Sequence, residues 1–443
     1  MPENIIADLQ QVYECLGFTC QDVGSYSGIE CDNKKIVPLA EYIPSSDVRD
    51  ASRIDLDIHQ IKILTLLDSY QFAKYLYLYG RNYPLRQNTE NDPYVLQSLH
   101  KMATTSLRQK ADHFYTDFVQ YHGDVLFSDK VVLNTLNGEG KYGTRSDEYR
   151  YQVITKTIQY QIVHMFVLAQ MTIVHEKCDA GNLDGTDGAR HNWDLVAAFL
   201  IGSLEGPGAG GSLDYEDGQL IWNLANMRAF QFNTMGANNY AVINQEIEAL
   251  LFAGLGALEA PDCKWFLKVD DDLQHLLLIP IIQSVLRFAV LNDGVMSDED
   301  YASIAAGEVL ALAVLPDIAN HSETSANLIK ESLVVVPGSS IPLVPNGPQE
   351  IANAFFEGLD GLPYGCEYIG ETKEIDACAE ATTTTTESYD GAINFSMVIT
   401  AFVIALVIGL WAYSLTSRAD CNDDDKAKQM VSLVAPTGNI NIA

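Results

Sequence analysis

Residues Trp193–Gly211 read WDLVAAFLIGSLEGPGAGG, an apolar-periodic run that passes into a segment crowded with glycine. Trp193, Val196, Ala197, Leu200 and Ile201 recur at i, i+3, i+4, i+7 and i+8, the stripe of a helix with one buried face. Gly202 and Gly206 are expected to end that helix, and GPGAGG to form a turn. A phosphate cradle is excluded. No Lys-Ser or Lys-Thr follows the glycines in register, and a helix rather than a strand precedes them.

The same periodicity extends outward. Gln219–Phe230 and Ala241–Leu258 read as helices, and Asp270–Val290 as a long one that Pro280 should kink. SDED at Ser297 resembles a capping motif and predicts a helix running to Leu315 and closed by Pro316. No convincing run of alternating strand residues occurs, so the fold class is all-α. AKYLYLYGRNYPL (Ala73–Leu85) resembles AAFLIGSLEGPG (Ala197–Gly208), with Gly80 opposite Gly202. TIQYQIVHMFVLAQM (Thr157–Met171) likewise resembles IIQSVLRFAVLND (Ile281–Asp293), with Gln159 opposite Gln283. The nearly equal offsets predict a duplicated helical bundle: residues 46–180 and 181–335, after an N-terminal Cys-containing segment at 1–45.

The chain has 443 residues, with 59 acidic against 27 basic side chains and a net charge of −32. That balance argues against nucleic acid, which needs clustered Lys and Arg, and favours a cation. Residues 336–394 read as a Cys-containing, Thr-rich stalk. Phe395–Leu415 carries no charge over a length that crosses a ~30 Å hydrocarbon core, so it is expected to be a single membrane span. Trp411 and Tyr413 stand at one end, and the basic residues of 416–443 weakly assign that tail to the cytoplasm. The bulk of the chain is then an ectodomain, with a tail-anchored cytosolic domain as the rival topology. MPENIIADLQQVYECLG has neither a basic start nor an apolar core and does not read as a signal peptide. Cys15, Cys20, Cys31, Cys178, Cys263, Cys366 and Cys378 fit disulfides in an oxidising compartment, with one left over. Cys421 is a palmitoylation candidate, and Asn320-His-Ser is a glycosylation sequon.

Oxygen donors dominate the candidate sites. Asp194 and Glu205 bracket the opening helix, and at ~1.5 Å per residue they stand about 16 Å apart, too far to share an ion. Glu205, Asp214, Tyr215, Glu216 and Asp217 suit a hard cation such as Fe³⁺, Mn²⁺ or Ca²⁺, though a solvated turn is the commoner use. Tyr70, Tyr75, Tyr77, Tyr79 and Tyr83 make one helix rich in phenols, which ligate Fe³⁺ but more often simply pack. Glu308 lies among small and apolar residues on a predicted helix, where a carboxylate either reaches solvent or is buried with a partner. An up-down bundle would gather His191, Asp194, Arg228 and Arg287 at one end. The two guanidiniums could clamp a planar anion such as carbonate, or form salt bridges. HExxH, GxSxG, CxxC and HxxE are absent, so no enzyme is expected.

WDLVAAFLIGSLEG, LIWNLANMRAFQF, PIIQSVLRFA and GEVLALAVLPDIA resemble, in order, segments of the low-iron-inducible periplasmic protein family, which includes the algal phytotransferrins. The family pattern is close to WDEAVAFYTGSLEG, LADKRC and PLIQGTLRYA, so the resemblance is strong in the second repeat and slight in the first. It implies surface capture of ferric iron with carbonate as synergistic anion, followed by endocytosis. Under that resemblance Asp194, Glu205, Arg228 and Arg287 occupy matching acidic and basic positions. With Tyr77, Tyr215 and Glu308 added from their own residue patterns, Tyr77, Asp194, Glu205, Tyr215 and Glu308 are the candidate metal ligands and Arg228 and Arg287 the candidate anion holders. Leu195, Leu200 and Phe288 stand where the family pattern has an acid and two tyrosines. Their loss favours the alternative of a metal-free receptor or adhesion module. An imelysin-like enzyme lacks its GxHxxE motif.

Overall fold

Gly80 and Gly202 sit where two helices must stop, and the chain turns at both in nearly the same way. Their backbones (φ 67°, ψ 174° and φ 86°, ψ −176°) lie at positive φ, which L side chains rarely adopt. A Cβ on Gly80 would also strike the Gln97 carbonyl, and one on Gly202 the Asp55 carboxylate. The computed structural model describes residues 38–85, 95–205, 218–236, 240–337, 341–358 and 365–377.

Helices α1 (Arg49–Ser52), α2 (Ile54–Leu66) and α3 (Tyr70–Tyr79) lead to a two-residue antiparallel pair, β1 (Pro84–Leu85) and β2 (Val95–Leu96). Then come α4 (Leu99–Thr104), a 3₁₀ turn (Ser106–Ala111), α5 (Asp112–His122) and α6 (Phe127–Asn137). Next, α7 (Asp147–Thr157) and α8 (His164–Asp179) are joined through a π-helical segment, Ile158–Val163, into one 33-residue rod. The second half holds α9 (Ala189–Ile201), α10 (Ile221–Gln231), α11 (Val242–Glu259), α12 (Cys263–Leu291), α13 (Ala302–His321), α14 (Glu323–Leu333), α15 (Pro348–Gly358) and α16 (Cys366–Ile369). The fold is mostly helical, as the periodicity requires.

The α7–α8 rod, α12 and α13 are each long and apolar enough to cross a membrane. Their most apolar stretches are 83%, 72% and 67% buried inside the protein, so their hydrophobicity is that of a core. Helix α12 starts at Cys263, seven residues before the expected Asp270, and runs through Pro280. Helix α13 corrects the sequence reading more sharply. It begins at Ala302 rather than at the SDED motif and continues through Pro316 to His321. Pro316 removes one hydrogen bond, while burial of Val314, Leu315 and Ile318 around it holds the helix together.

Two acids on α2, Asp55 and Asp57, secure the matching helix ends. Asp57 accepts from the Arg81 and Asn82 amides and the Asn82 side chain after α3. Asp55 accepts from the Ser203 amide and hydroxyl and the Leu204 amide after α9. Each carboxylate thereby satisfies backbone amides of the turn that follows a helix C-terminus. Burial nevertheless pushes both acids up to about 7. A Cys178–Cys263 disulfide with 5.7 Å between Cα atoms ties the end of α8 to the start of α12. Cys366 is also disulfide-bonded.

The chain divides into two units at Thr383/Thr384, and everything described belongs to the first. The expected span Phe395–Leu415, the Thr tract, Cys15, Cys20, Cys31, Cys378 and Cys421 lie outside the described residues. So does Tyr215.

Candidate metal centre

Among the described residues no group of three or more His, Cys, Asp and Glu side chains is placed to hold a metal ion. Among the described residues, a candidate metal site therefore draws on phenols as well. Two clusters combine a buried carboxylate with tyrosine.

The first is built on Asp129, in the opening turn of α6. Its Oδ1 accepts from the Tyr77 hydroxyl on α3 at 2.7 Å and from His100 Nδ1 on α4 at 2.7 Å. Tyr77 is fully buried and Asp129 5% exposed, whereas the His100 side chain is 31% exposed and opens the cluster to solvent. Burial first, and then Asp129, holds the Tyr77 phenol well above its ordinary range, while Arg108 pulls the other way. Arg108 is itself buried. It donates to the Val125 and Thr105 carbonyls through Nη1 and Nε and lies 5.6 Å from the Tyr115 ring centre. Its Nη2 has no hydrogen-bond partner among the described residues.

These donors suit a hard trivalent ion: phenol oxygen, carboxylate oxygen and imidazole nitrogen. Adjacent donors around an octahedral ion with ~2.1 Å bonds lie about 3 Å apart. The two 2.7 Å hydrogen bonds already hold the phenol oxygen and the imidazole nitrogen each near that spacing from Asp129 Oδ1, and a metal would replace the shared protons.

The second cluster surrounds Glu308, fully buried on α13. Lys141 Nζ donates to Oε1 and Tyr149 OH to Oε2 at 3.2 Å, and Tyr142 also bonds the carboxylate. The Tyr142 and Tyr149 rings stack with centres 6.3 Å apart. Burial raises the Glu308 acid, against the pull of Lys141, Tyr142 and Tyr149. Here the negative charge already has its ammonium.

The remaining predicted residues fall elsewhere. Asp194 accepts from Tyr42 OH (2.8 Å), Ser45 N (3.1 Å), Ser45 Oγ (2.7 Å) and Ser46 Oγ (2.7 Å), two donors on each oxygen. His191 joins it through Ser46, 2.8 Å from Nδ1. Among the described residues no hydrogen bond or ion pair joins Asp194 to Arg228 or Arg287. Glu205 is buried against Gly218, where any Cβ would overlap its carboxylate. Arg228, buried on α10, donates from Nε to Ser284 Oγ (2.7 Å) and from Nη1 to Gln231 Oε1 (2.6 Å), with its guanidinium 5.5 Å from the Phe288 ring centre. Arg287 on α12 is close enough to depress it, but after burial itself and against Tyr160. Asn320 is exposed in the last turn of α13.

Sequence reasoning found Tyr77 and Glu308 but missed Asp129, His100, Tyr142, Tyr149 and Arg108. Asp129 gave no signal because an acid in the first turn of a helix is normally there for the helix dipole.

The described residues form a mostly helical body that holds two buried phenol–carboxylate clusters. The model of the low iron-inducible periplasmic protein family matches residues 17–254, more than half of the chain, and the chain belongs to that family. The match takes in the whole first half, where the motif resemblance was slight, and includes Tyr77, His100, Arg108 and Asp129. Glu308 and Arg287 lie beyond it. No curated protein and no solved structure matches the chain.

Proposed function

We infer that this protein binds ferric iron at the cell surface for uptake, with Tyr77, Asp129 and His100 as metal ligands. The observation that carries this reading is the convergence of Tyr77 and His100 on one oxygen of Asp129, from three different helices. Family membership supports iron as the cargo. Carbonate is the proposed synergistic anion, held by the unpartnered Nη2 of Arg108 beside the centre. Arg228 and Arg287, first considered for that role, show no bond or electrostatic coupling to Tyr77, Asp129 or His100. The protein acts by binding and delivery rather than catalysis.

The surface location rests on the family's periplasmic description, the disulfides and the exposed Asn320 sequon. A type I topology with Phe395–Leu415 as its one span and endocytic internalisation completes the proposal. Glycosylation of Asn320 in a eukaryotic host checks the topology. A duplicated bundle is part of the same proposal, supported by the matched Asp57 and Asp55 caps.

Ferric titration of the purified protein, with and without bicarbonate, tests the iron reading. Saturable binding strengthened by bicarbonate and lost in Asp129→Ala is expected. The metal-free receptor reading draws on Leu200, fully packed in the core, and Phe288, stacked on Arg228, at two positions where the family pattern has tyrosine. Absence of saturable ferric binding would establish that reading instead.

A further inference from the structure

Helices α3 and α6 hold Tyr77 and Asp129 toward one end of the pair and frame a cavity at the other. Tyr70 opens α3 and Asn137 closes α6, and between these two ends lies a space of about 560 Å³. Small-ligand pockets usually enclose roughly 300–1,000 Å³. At ~1.5 Å per residue the cavity stands about 10–12 Å along the helices from Tyr77 and Asp129. Lys74 ties the two helices together here, donating from Nζ to Asn137 Oδ1 at 2.7 Å.

The floor of the cavity is rigid and charge-balanced. The Arg150 guanidinium lies 3.5 Å from the Tyr70 ring centre and donates from Nε (3.3 Å) and Nη2 (2.9 Å) to the Thr135 carbonyl. Its Nη1 stands 3.6 Å from Asp147 Oδ1, and the Tyr70 hydroxyl donates to that same oxygen at 2.7 Å. Arg150 is the one cation among the lining residues, and these bonds commit it to the fold. The mouth is polar, formed by the exposed side chains of Asp68, Gln71 and Asn137. Asp68 turns the chain from α2 into α3 at positive φ (57°), which Asp tolerates better than most residues. Because Lys74 holds Asn137 Oδ1, that amide presents its Nδ2 as a donor. Phe72 and Leu136 supply apolar wall.

We propose that this cavity binds a neutral saccharide, separately from the Tyr77–His100–Asp129 centre. The lining sets three requirements. The Asp68 carboxylate only accepts, Asn137 Nδ2 only donates and the Gln71 amide does both, so the ligand needs groups that donate and accept at once. An anion would meet Asp68 at the mouth and a cation would meet Arg150 in the floor, so it should carry no net charge. Phe72 and Leu136 call for an apolar face as well. A sugar ring satisfies all three: adjacent hydroxyls pair with planar carboxylate and amide groups, while its C–H face rests on the Phe72 ring. A free monosaccharide and a residue of a glycan chain present the same ring.

Ligand-observed NMR titration of the full chain with glucose, mannose and galactose tests the site. Glucosamine and glucuronate serve as charged counterparts, and linear glucose and mannose tetrasaccharides as chains. Saturable binding of at least one neutral sugar is expected, tighter than that of either charged one. Asp68→Gly suits the positive φ, and Asn137→Ala changes an exposed helix end, so both should fold with little change in Tm. Each should weaken sugar binding at least tenfold. A tetrasaccharide bound at least tenfold more tightly than its monosaccharide assigns the glycan chain as ligand, and equal affinity assigns the free sugar. Asp129→Asn should leave sugar binding unchanged, so a failed ferric titration does not touch this result. No saturable binding of any neutral sugar would overturn the proposal. So would a charged sugar bound as tightly as the neutral ones, or affinity unchanged in both Asp68→Gly and Asn137→Ala.

Discussion

Asp129 and Glu308 are both buried carboxylates hydrogen-bonded by tyrosine, yet only one is poised to take a metal. Asp129 meets Tyr77 and His100, groups that become ligands by giving up a proton, and His100 leaves an edge open to solvent. Glu308 meets Lys141, whose charge already neutralises it, and its two phenols are sealed in the core. An ion entering the first cluster displaces protons. One entering the second must break a buried ion pair, whose loss of one partner costs about 3 kcal/mol or more. Equal ligand chemistry therefore gives unequal sites, and the difference lies in what the carboxylate holds before the ion arrives.

The largest effect expected from this contrast is on ferric affinity. Asp129→Asn should lower it at least a hundredfold with little change in Tm, whereas Glu308→Gln should leave it within threefold. Equal losses in the two variants would erase the distinction. Stability should respond in the opposite order. Glu308→Gln should cost about 2–3 kcal/mol in denaturant unfolding by leaving Lys141 beside a neutral amide, a pair only partly open to solvent. Cys178→Ser, which opens an 85-residue covalent loop far along the chain from either cluster, should cost about 2–4 kcal/mol and leave iron affinity unchanged. If the disulfide variant lost iron as Asp129→Asn does, loss of binding would report unfolding rather than a missing ligand.

A smaller effect concerns protons. Tyr77 must lose its proton to bind Fe³⁺, so titrations in buffers of different ionisation enthalpy should show at least one proton released, and affinity should fall with pH. Zero release would remove the phenolate from the site. Smaller still is the pH dependence of folding. Asp55, Asp57, Glu248, Asp270 and Asp317 are each raised by burial to about 7. An acid whose folded value is raised binds more protons folded than unfolded, so its penalty vanishes as pH falls from about 7 toward 4. His122 and His164, lowered to about 4 by burial, act in reverse below about 6.5 but are fewer. Tm should therefore rise on going from pH 8 to pH 5.5, and a fall would contradict the burial of these acids.

The helices were legible because periodicity and glycine act locally. The stripe of Trp193–Ile201 and the stop at Gly202 both stand in the structure. Pro280 stands inside its helix as expected, but Pro316 was read too literally as a stop, since core packing that sequence alone does not display carries it inside α13. The helix that opens at Ala189 ends at Ile201, before Glu205, and the partners of Asp194 come from far away: Tyr42, Ser45 and Ser46 lie roughly 150 residues from it. The metal centre was half visible. A run of tyrosines singled out α3, yet Tyr75 and Tyr79 pack on each other with Tyr79 in solvent, and Tyr77 on the other face meets Asp129, 52 residues on. No spacing rule links residues that only tertiary packing brings together.

The central claim is that Tyr77 is a ligand to ferric iron. Visible absorption of the ferric-loaded protein tests it most directly, with Tyr77→Phe and Tyr149→Phe compared against the native chain. The native protein should show a tyrosinate-to-iron charge-transfer band that Tyr77→Phe loses and Tyr149→Phe keeps. A band that survives in Tyr77→Phe, or disappears in Tyr149→Phe, would contradict the assignment.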